Sequence, residues 1–215
     1  MKHTSITLLT LTAAAGFAQS APAAASAFTV TGNVALTSDY VWRGNTQSAG
    51  HSAIQGGFDL SKTPISGLTA GAWTSSLSDG TELDLYANYG FKVGSVDVSV
   101  GYIHYNYSAA ATASGNFANF SEVNVAATFS GLTLKVSKGV SGAANDYYYE
   151  GNYSYDVAAI KGLNLGLHYG SDNKSKKDDY GIALTYPILG LDTSVSYTDI
   201  EKGNSITAFT VKKSF

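Results

Sequence analysis

The residues best suited to chemistry gather in the first part of the chain. Asp39, Arg43, Gln55, Asp59, Glu82 and Asp84 form a polar constellation, and Arg43 is the only arginine present. A guanidinium forks onto carboxylates through parallel hydrogen bonds, and among several acids it can hold two at once. Such a set suits a constriction that selects solutes moving through a lumen. It also suits a salt-bridge network that satisfies enclosed charge and stiffens a narrow wall. Glu122, Lys135 and Glu150 extend the set further along the chain.

Other chemistries find less support. There is no cysteine, which excludes disulfides and thiolate metal sites. Beyond the N-terminal segment the histidines are His51, His104 and His168, scattered without zinc-ligand spacing, so neither a metal nor a cofactor is expected. No G-x-S-x-G elbow is present, and no serine beside His104 stands out as a nucleophile; a lone interfacial histidine explains it. The glycine-rich places read as hairpin turns, with no Walker sequence. A formal net charge of −3 and the lack of a basic, aromatic-laced patch exclude a nucleic-acid partner. The run Tyr147-Tyr148-Tyr149 could stack on sugars, but a strand crossing a membrane interface accounts for it first.

Strands must position these residues, because the sequence alternates. Val30, Val34, Leu36, Tyr40 and Trp42 share one parity, and Thr31, Asn33, Thr37, Asp39 and Arg43 the other. Leu83, Leu85, Ala87, Tyr89 and Phe91 oppose Glu82, Asp84, Tyr86 and Asn88. Val123, Val125 and Phe129 oppose Glu122, Asn124 and Thr128, and the pattern continues to Phe209, Val211 and Phe215. Period two puts these sets on opposite strand faces. Residues 68–75 are the weakest segment, since Trp73 falls on the small, polar face. About twelve strands of outer-membrane length result.

Five short turns ending in Gly67, Gly94, Gly131, Gly162 and Gly190 follow the even-numbered strands. Connections after odd strands, such as 44–50, 106–119 and 170–178, are mostly longer and polar. That asymmetry belongs to outer-membrane barrels, and it predicts both termini in the periplasm. Tyrosine, phenylalanine and tryptophan near strand ends, including Tyr40, Trp42, Tyr89, Tyr102, Tyr169, Tyr186 and Tyr197, fit two interfacial girdles. The expected fold is therefore all-β, an antiparallel up-and-down transmembrane barrel over residues 28–215. A basic start, an apolar run over residues 6–18 and Ala25-Ser26-Ala27 predict a signal peptide over residues 1–27. The terminal alternation ending at Phe215 resembles the signal read by barrel-insertion machinery, with Lys213 as a departure that can snorkel to water.

The stretch Leu36-Thr37-Ser38-Asp39-Tyr40-Val41-Trp42-Arg43-Gly44-Asn45-Thr46-Gln47-Ser48 resembles the bacterial gcw_chp family, also labelled TorF-family porins. Ala53 to Asp59, Glu82 to Gly90 and the terminal Lys213-Ser214-Phe215 fit it as well. The resemblance implies an outer-membrane barrel of poorly defined function.

Acids at inward parity (with Asp97, Asp156, Asp179 and Asp192) outnumber Lys135 and Lys212, so a wet lumen would favour cations. The expected function is passive diffusion of small solutes, preferably cationic or neutral, with outer-membrane lipid as surroundings. Twelve strands lie between a filled eight-stranded barrel and an open sixteen-stranded one. A plugged barrel with a structural or surface-binding role therefore stands as the alternative, and a hydrolase as a third.

Overall fold

Alternating side chains give each segment one apolar and one polar face, and edge-to-edge pairing gathers like faces together. The computed structural model describes residues 28–142 and 146–215; the expected signal peptide lies outside the described residues. The strands are β1 (Thr29–Thr37), β2 (Val41–Trp42), β3 (Asn45–Thr46), β4 (Ala53–Ser61), β5 (Leu68–Ser76), β6 (Thr81–Val93) and β7 (Val96–Tyr107). A short helix α1 (Ala109–Ala113) precedes β8 (Phe120–Phe129), β9 (Leu132–Ser141), β10 (Tyr147–Asp156) and β11 (Asn164–Asp172). The chain closes with β12 (Lys177–Ile188), β13 (Leu191–Ile200) and β14 (Ile206–Ser214).

Twelve of these strands form a closed antiparallel barrel in which each pairs with its sequence neighbours, while β2 and β3 make a separate two-stranded sheet. The seam joins β1 to β14 from Asn33↔Ser214 to Thr37↔Thr210. It is finished by the last residue: Gly32 N–H donates to the Phe215 carbonyl at 2.7 Å, and Phe215 N–H returns to Gly32 at 2.9 Å. The expected strand count and up-and-down order are both observed, including the weak segment, which is β5.

Val30, Ile54, Leu85, Val125, Leu167, Ile182 and Phe209 point outward and are exposed. Tyr89, Tyr102, Tyr169, Tyr186 and Tyr197 share the outer face. A belt this apolar suits hydrocarbon rather than water. Inward positions are polar and enclosed, among them Glu82, Glu122, Ser137, Asn152, Asn164 and Asp179. The five short turns share one end with the barrel's two termini. Their glycines all sit at positive φ (Gly67 85°, Gly94 60°, Gly131 84°, Gly162 90° and Gly190 75°), a conformation that glycine adopts without steric penalty. Lys213 projects to this rim, where its Nζ donates to the Gly190 carbonyl at 2.8 Å.

The first strand departs from expectation. Alternation predicts that it runs on through Trp42, with Tyr40 and Trp42 facing outward as girdle residues. Instead β1 ends at Thr37, and residues 38–52 turn into the barrel, so Tyr40 is only 2% exposed. The two aromatics belong to the interior. Their burial there explains Trp73, the inward tryptophan of β5, which packs edge-on against Tyr40 with ring centroids 5.4 Å apart.

Leu167 lies mid-strand on the outer face. Leu167→Arg is expected to lower stability by about 2–4 kcal/mol, the cost of a cation near the bilayer midplane, and urea titration of protein refolded in lipid vesicles would check it.

Candidate functional site

The inserted segment is a β-hairpin, and its own chemistry holds its shape. Val41 pairs with Thr46 and Trp42 with Asn45, which leaves Arg43-Gly44 as a two-residue turn. Both turn residues have positive φ, 47° and 75°, as a type I′ hairpin requires. Asp39 staples the base: its Oδ1 accepts from Thr46 Oγ1 at 2.6 Å and from Ser48 Oγ at 2.7 Å. Ser48 Oγ in turn accepts from the Tyr40 N–H at 2.9 Å. Asp39 is thus a hairpin residue rather than a residue of the wall.

The hairpin crosses to the opposite wall. Trp42 meets Tyr105 of β7 at 5.9 Å, and Tyr105 stacks on Phe120 of β8 at 4.3 Å. Arg43 donates from Nη1 to Glu122 Oε1 at 2.8 Å and from Nη2 to Oε2 at 2.7 Å. Its guanidinium carbon sits 4.3 Å from the Trp42 ring and 4.1 Å from that of Tyr148 on β10. Burial works against the Arg43 charge, but Glu122 more than offsets it and holds the group's pKa above its ordinary value. At the tip there is no room for a side chain. A Cβ on Gly44 would lie 2.8 Å from the Cβ atoms of Asp179 and Ile200.

The expected cluster is therefore split. Arg43 does not fork among Asp39, Asp59, Glu82 and Asp84; the turn inward at Thr37 carries it to Glu122 instead. Gln55 remains on the near wall and donates from Nε2 to Ser75 Oγ at 3.4 Å. Asp59 accepts from the Tyr86 hydroxyl at 2.6 Å. Glu82 and Asp84 are 1% and 2% exposed, and the Tyr107 hydroxyl reaches Glu82 Oε1 at 3.4 Å. One oxygen of each acid (Asp59 Oδ2, Glu82 Oε2 and Asp84 Oδ1) is buried without a hydrogen-bond partner among the described residues. Buried carboxylates without a balancing cation are costly.

Lys135 and Glu150 pair at 2.6 Å and begin a chain of contacts that runs up the far wall. Asn152 Nδ2 donates to Glu150 Oε2 at 3.2 Å, and Asn152 Oδ1 meets His168 Nδ1 at 2.8 Å. His168 Nε2 contacts Asp179 Oδ1 at 2.8 Å, and the Tyr148 hydroxyl donates to Asp179 Oδ2 at 2.9 Å. Tyr148 then carries Arg43 on its ring. Above this floor opens a vestibule of about 440 Å³, lined by Trp42, Arg43, Phe120, Glu122, Tyr148 and Asp179 among others. Tyr105 and Tyr148 were legible as inward by parity, although only their contacts with the hairpin mark them as site residues.

On the outer face His104 is not alone. Its Nδ1 lies 2.9 Å from Ser121 Oγ, which also accepts from Tyr102 and Ser141 hydroxyls at 2.9 Å each. Ser121 is the direct cross-strand partner of His104, and a register shift between Ser121 and Glu122 opposite β9 sets Ser141 beside it. Ser121 is 2% exposed, so its hydroxyl is closed to an incoming substrate.

A family model described as bacterial protein of unknown function (Gcw_chp) matches residues 21–215. The chain belongs to the Gcw_chp family. Among solved structures, the KdgM porin is similar at 11% identity and a TM-score of 0.59, over 87% of this chain and 98% of that one. KdgM in complex with disordered oligogalacturonate matches to the same extent. A chain from work on the in-meso crystallization of membrane proteins is similar at 10% identity and a TM-score of 0.63, covering 86% and 83%. These likenesses agree with the closed barrel. Among curated proteins none matches the chain in sequence.

The seating of the hairpin can be read chemically, because an arginine-specific protease has a single site in this Gcw_chp chain. Folded wild-type protein is expected to resist it, and Gly44→Ala, whose Cβ clashes with the far wall, to be cut after Arg43. Asp84→Asn is expected to raise the melting temperature by about 2–4 °C, the shift that ~1 kcal/mol gives in a domain of this size; thermal unfolding in detergent measures it.

Proposed function

We propose that this protein is an outer-membrane channel for passive diffusion of small solutes, with a cation-preferring lumen whose mouth its own hairpin covers at rest. The observation that carries the reading is the lining. Asp59, Glu82, Asp84, Glu122, Glu150 and Asp179 face inward, against Arg43, Lys135 and Lys212. Enclosed charge of one sign concentrates counter-ions. The hairpin is compatible with passage because β2 and β3 pair only with each other, so withdrawing them breaks no barrel ladder. In this reading the termini and short turns face the periplasm, and the vestibule opens outside. Strand β14, ending at Phe215, would be the segment that insertion machinery takes up.

The acid-rich lumen argues against a polyanion of the kind named with KdgM. The reading is of a channel rather than of an enzyme, since Ser121 is shielded and the neighbouring folds are porins. One observation favours a second reading, a plugged barrel that does not conduct: the hairpin reaches the wall opposite its own strands.

Planar-bilayer recording in a salt gradient separates the two readings. Wild-type protein is expected to open rarely, and a variant with residues 38–52 replaced by a short glycine-serine link to pass a larger, cation-preferring current. Anion preference would refute the lumen assignment, and silence from the folded short-link variant would favour the plugged barrel.

A further inference from the structure

The seat of Arg43 is built like a receptor site. Glu122 presents both oxygens to the guanidinium edge, at 2.8 and 2.7 Å, in the parallel geometry that a planar two-donor group matches. Aromatic rings cover the guanidinium, Trp42 at 4.3 Å and Tyr148 at 4.1 Å. The Tyr105 hydroxyl donates to Glu122 Oε2 at 3.3 Å and braces the carboxylate. The Tyr148 hydroxyl is fixed by Asp179 at 2.9 Å.

Apart from Trp42, all of these groups belong to the barrel wall, on β7, β8, β10 and β12. The Glu122 edge and the Tyr148 face therefore do not depend on the hairpin for their form. It also borders the vestibule of about 440 Å³, so a small solute entering the mouth arrives beside it. A purely structural latch would need only the ion pair. Here the wall recognises the edge of one particular cation through Glu122 and its flat face through Tyr148, and Trp42 adds a second ring while the hairpin is seated.

We propose that this wall site is a receptor for the guanidinium group of small solutes, and that Arg43 occupies it as a tethered stand-in. A solute carrying a guanidinium displaces Arg43, and the hairpin then leaves the mouth. This rests on the channel reading, and it names the solute class for that channel. An ammonium lacks both the flat face and the two-donor edge, so it competes poorly. A short tether presents its group at an effective concentration on the order of millimolar, so competing solute is needed at that level or above.

The test is the current through refolded wild-type protein in a planar bilayer, titrated from the vestibule side with methylguanidinium chloride and, separately, methylammonium chloride. The expected result is a saturable, several-fold rise in open fraction with methylguanidinium and none with methylammonium. Glu122→Gln should be open without addition and unresponsive to either cation. No response of the wild type while Glu122→Gln conducts would overturn the receptor site and leave the channel standing. Equal responses to both cations would overturn the guanidinium class.

If neither protein conducts, the channel reading falls, and tryptophan emission of the folded wild type still reads the site through Trp42. A saturable change with methylguanidinium alone then upholds the receptor, and no change overturns it. Wild-type protein alone suffices for both titrations should the variant fail to fold.

Discussion

Backbone pairing is the constraint on which everything else depends. In hydrocarbon a peptide N–H or C=O without a partner costs several kcal/mol, so a sheet can cross only if it has no edges. Here that demand reaches the final residue, whose amide and carbonyl both bond to Gly32 of the first strand. Once the sheet closes, side-chain alternation becomes an inside and an outside. The outside is then chosen by lipid, and the inside is left to hold the polar half of every strand.

Twelve strands enclose more space than their own inward side chains fill. The chain answers with an element that belongs to no barrel ladder. The hairpin of β2 and β3 supplies Tyr40 and Trp42 as packing on Trp73 and Tyr105, and Arg43 as the counter-charge for Glu122. The enclosed acids are thereby treated unequally. Glu122 and Glu150 have cations, whereas Glu82, Asp84 and Asp59 pair with no cation among the described residues and rely on tyrosine hydroxyls and on the contact between Glu82 and Asp84. The far wall is neutralised and the near wall is not.

Much of the fold was legible because period two survives in every barrel strand except the weakly patterned β5. The strand count, the five glycine turns and the inward facing of Glu82, Glu122, Lys135 and Glu150 all follow from it. Alternation failed at Tyr40 and Trp42 for an instructive reason. The hairpin is itself extended, so parity continues across Ser38 and Asp39 although the chain has turned inward. Nothing local separates a strand that lengthens from one that folds back. The Arg43–Glu122 pair spans 79 positions, and the Ser121–His104 contact is a cross-strand pairing of β7 with β8; parity gives the face of each residue but not its partner.

The hairpin hangs from β1, one of the two strands at the seam, yet its partners lie on β7, β8, β10, β12 and β13. Those strands come within reach of the hairpin only after the sheet has curled. Its contacts with those strands are therefore unavailable to an open sheet, whereas Tyr40 meets Trp73 on β5, two strands from β1. Joining β1 to β14 is then also the moment at which the hairpin is captured, inside or out. Assembly of this barrel has a threading step that a plain barrel lacks, and the side on which residues 38–52 wait decides whether it ends with a covered mouth.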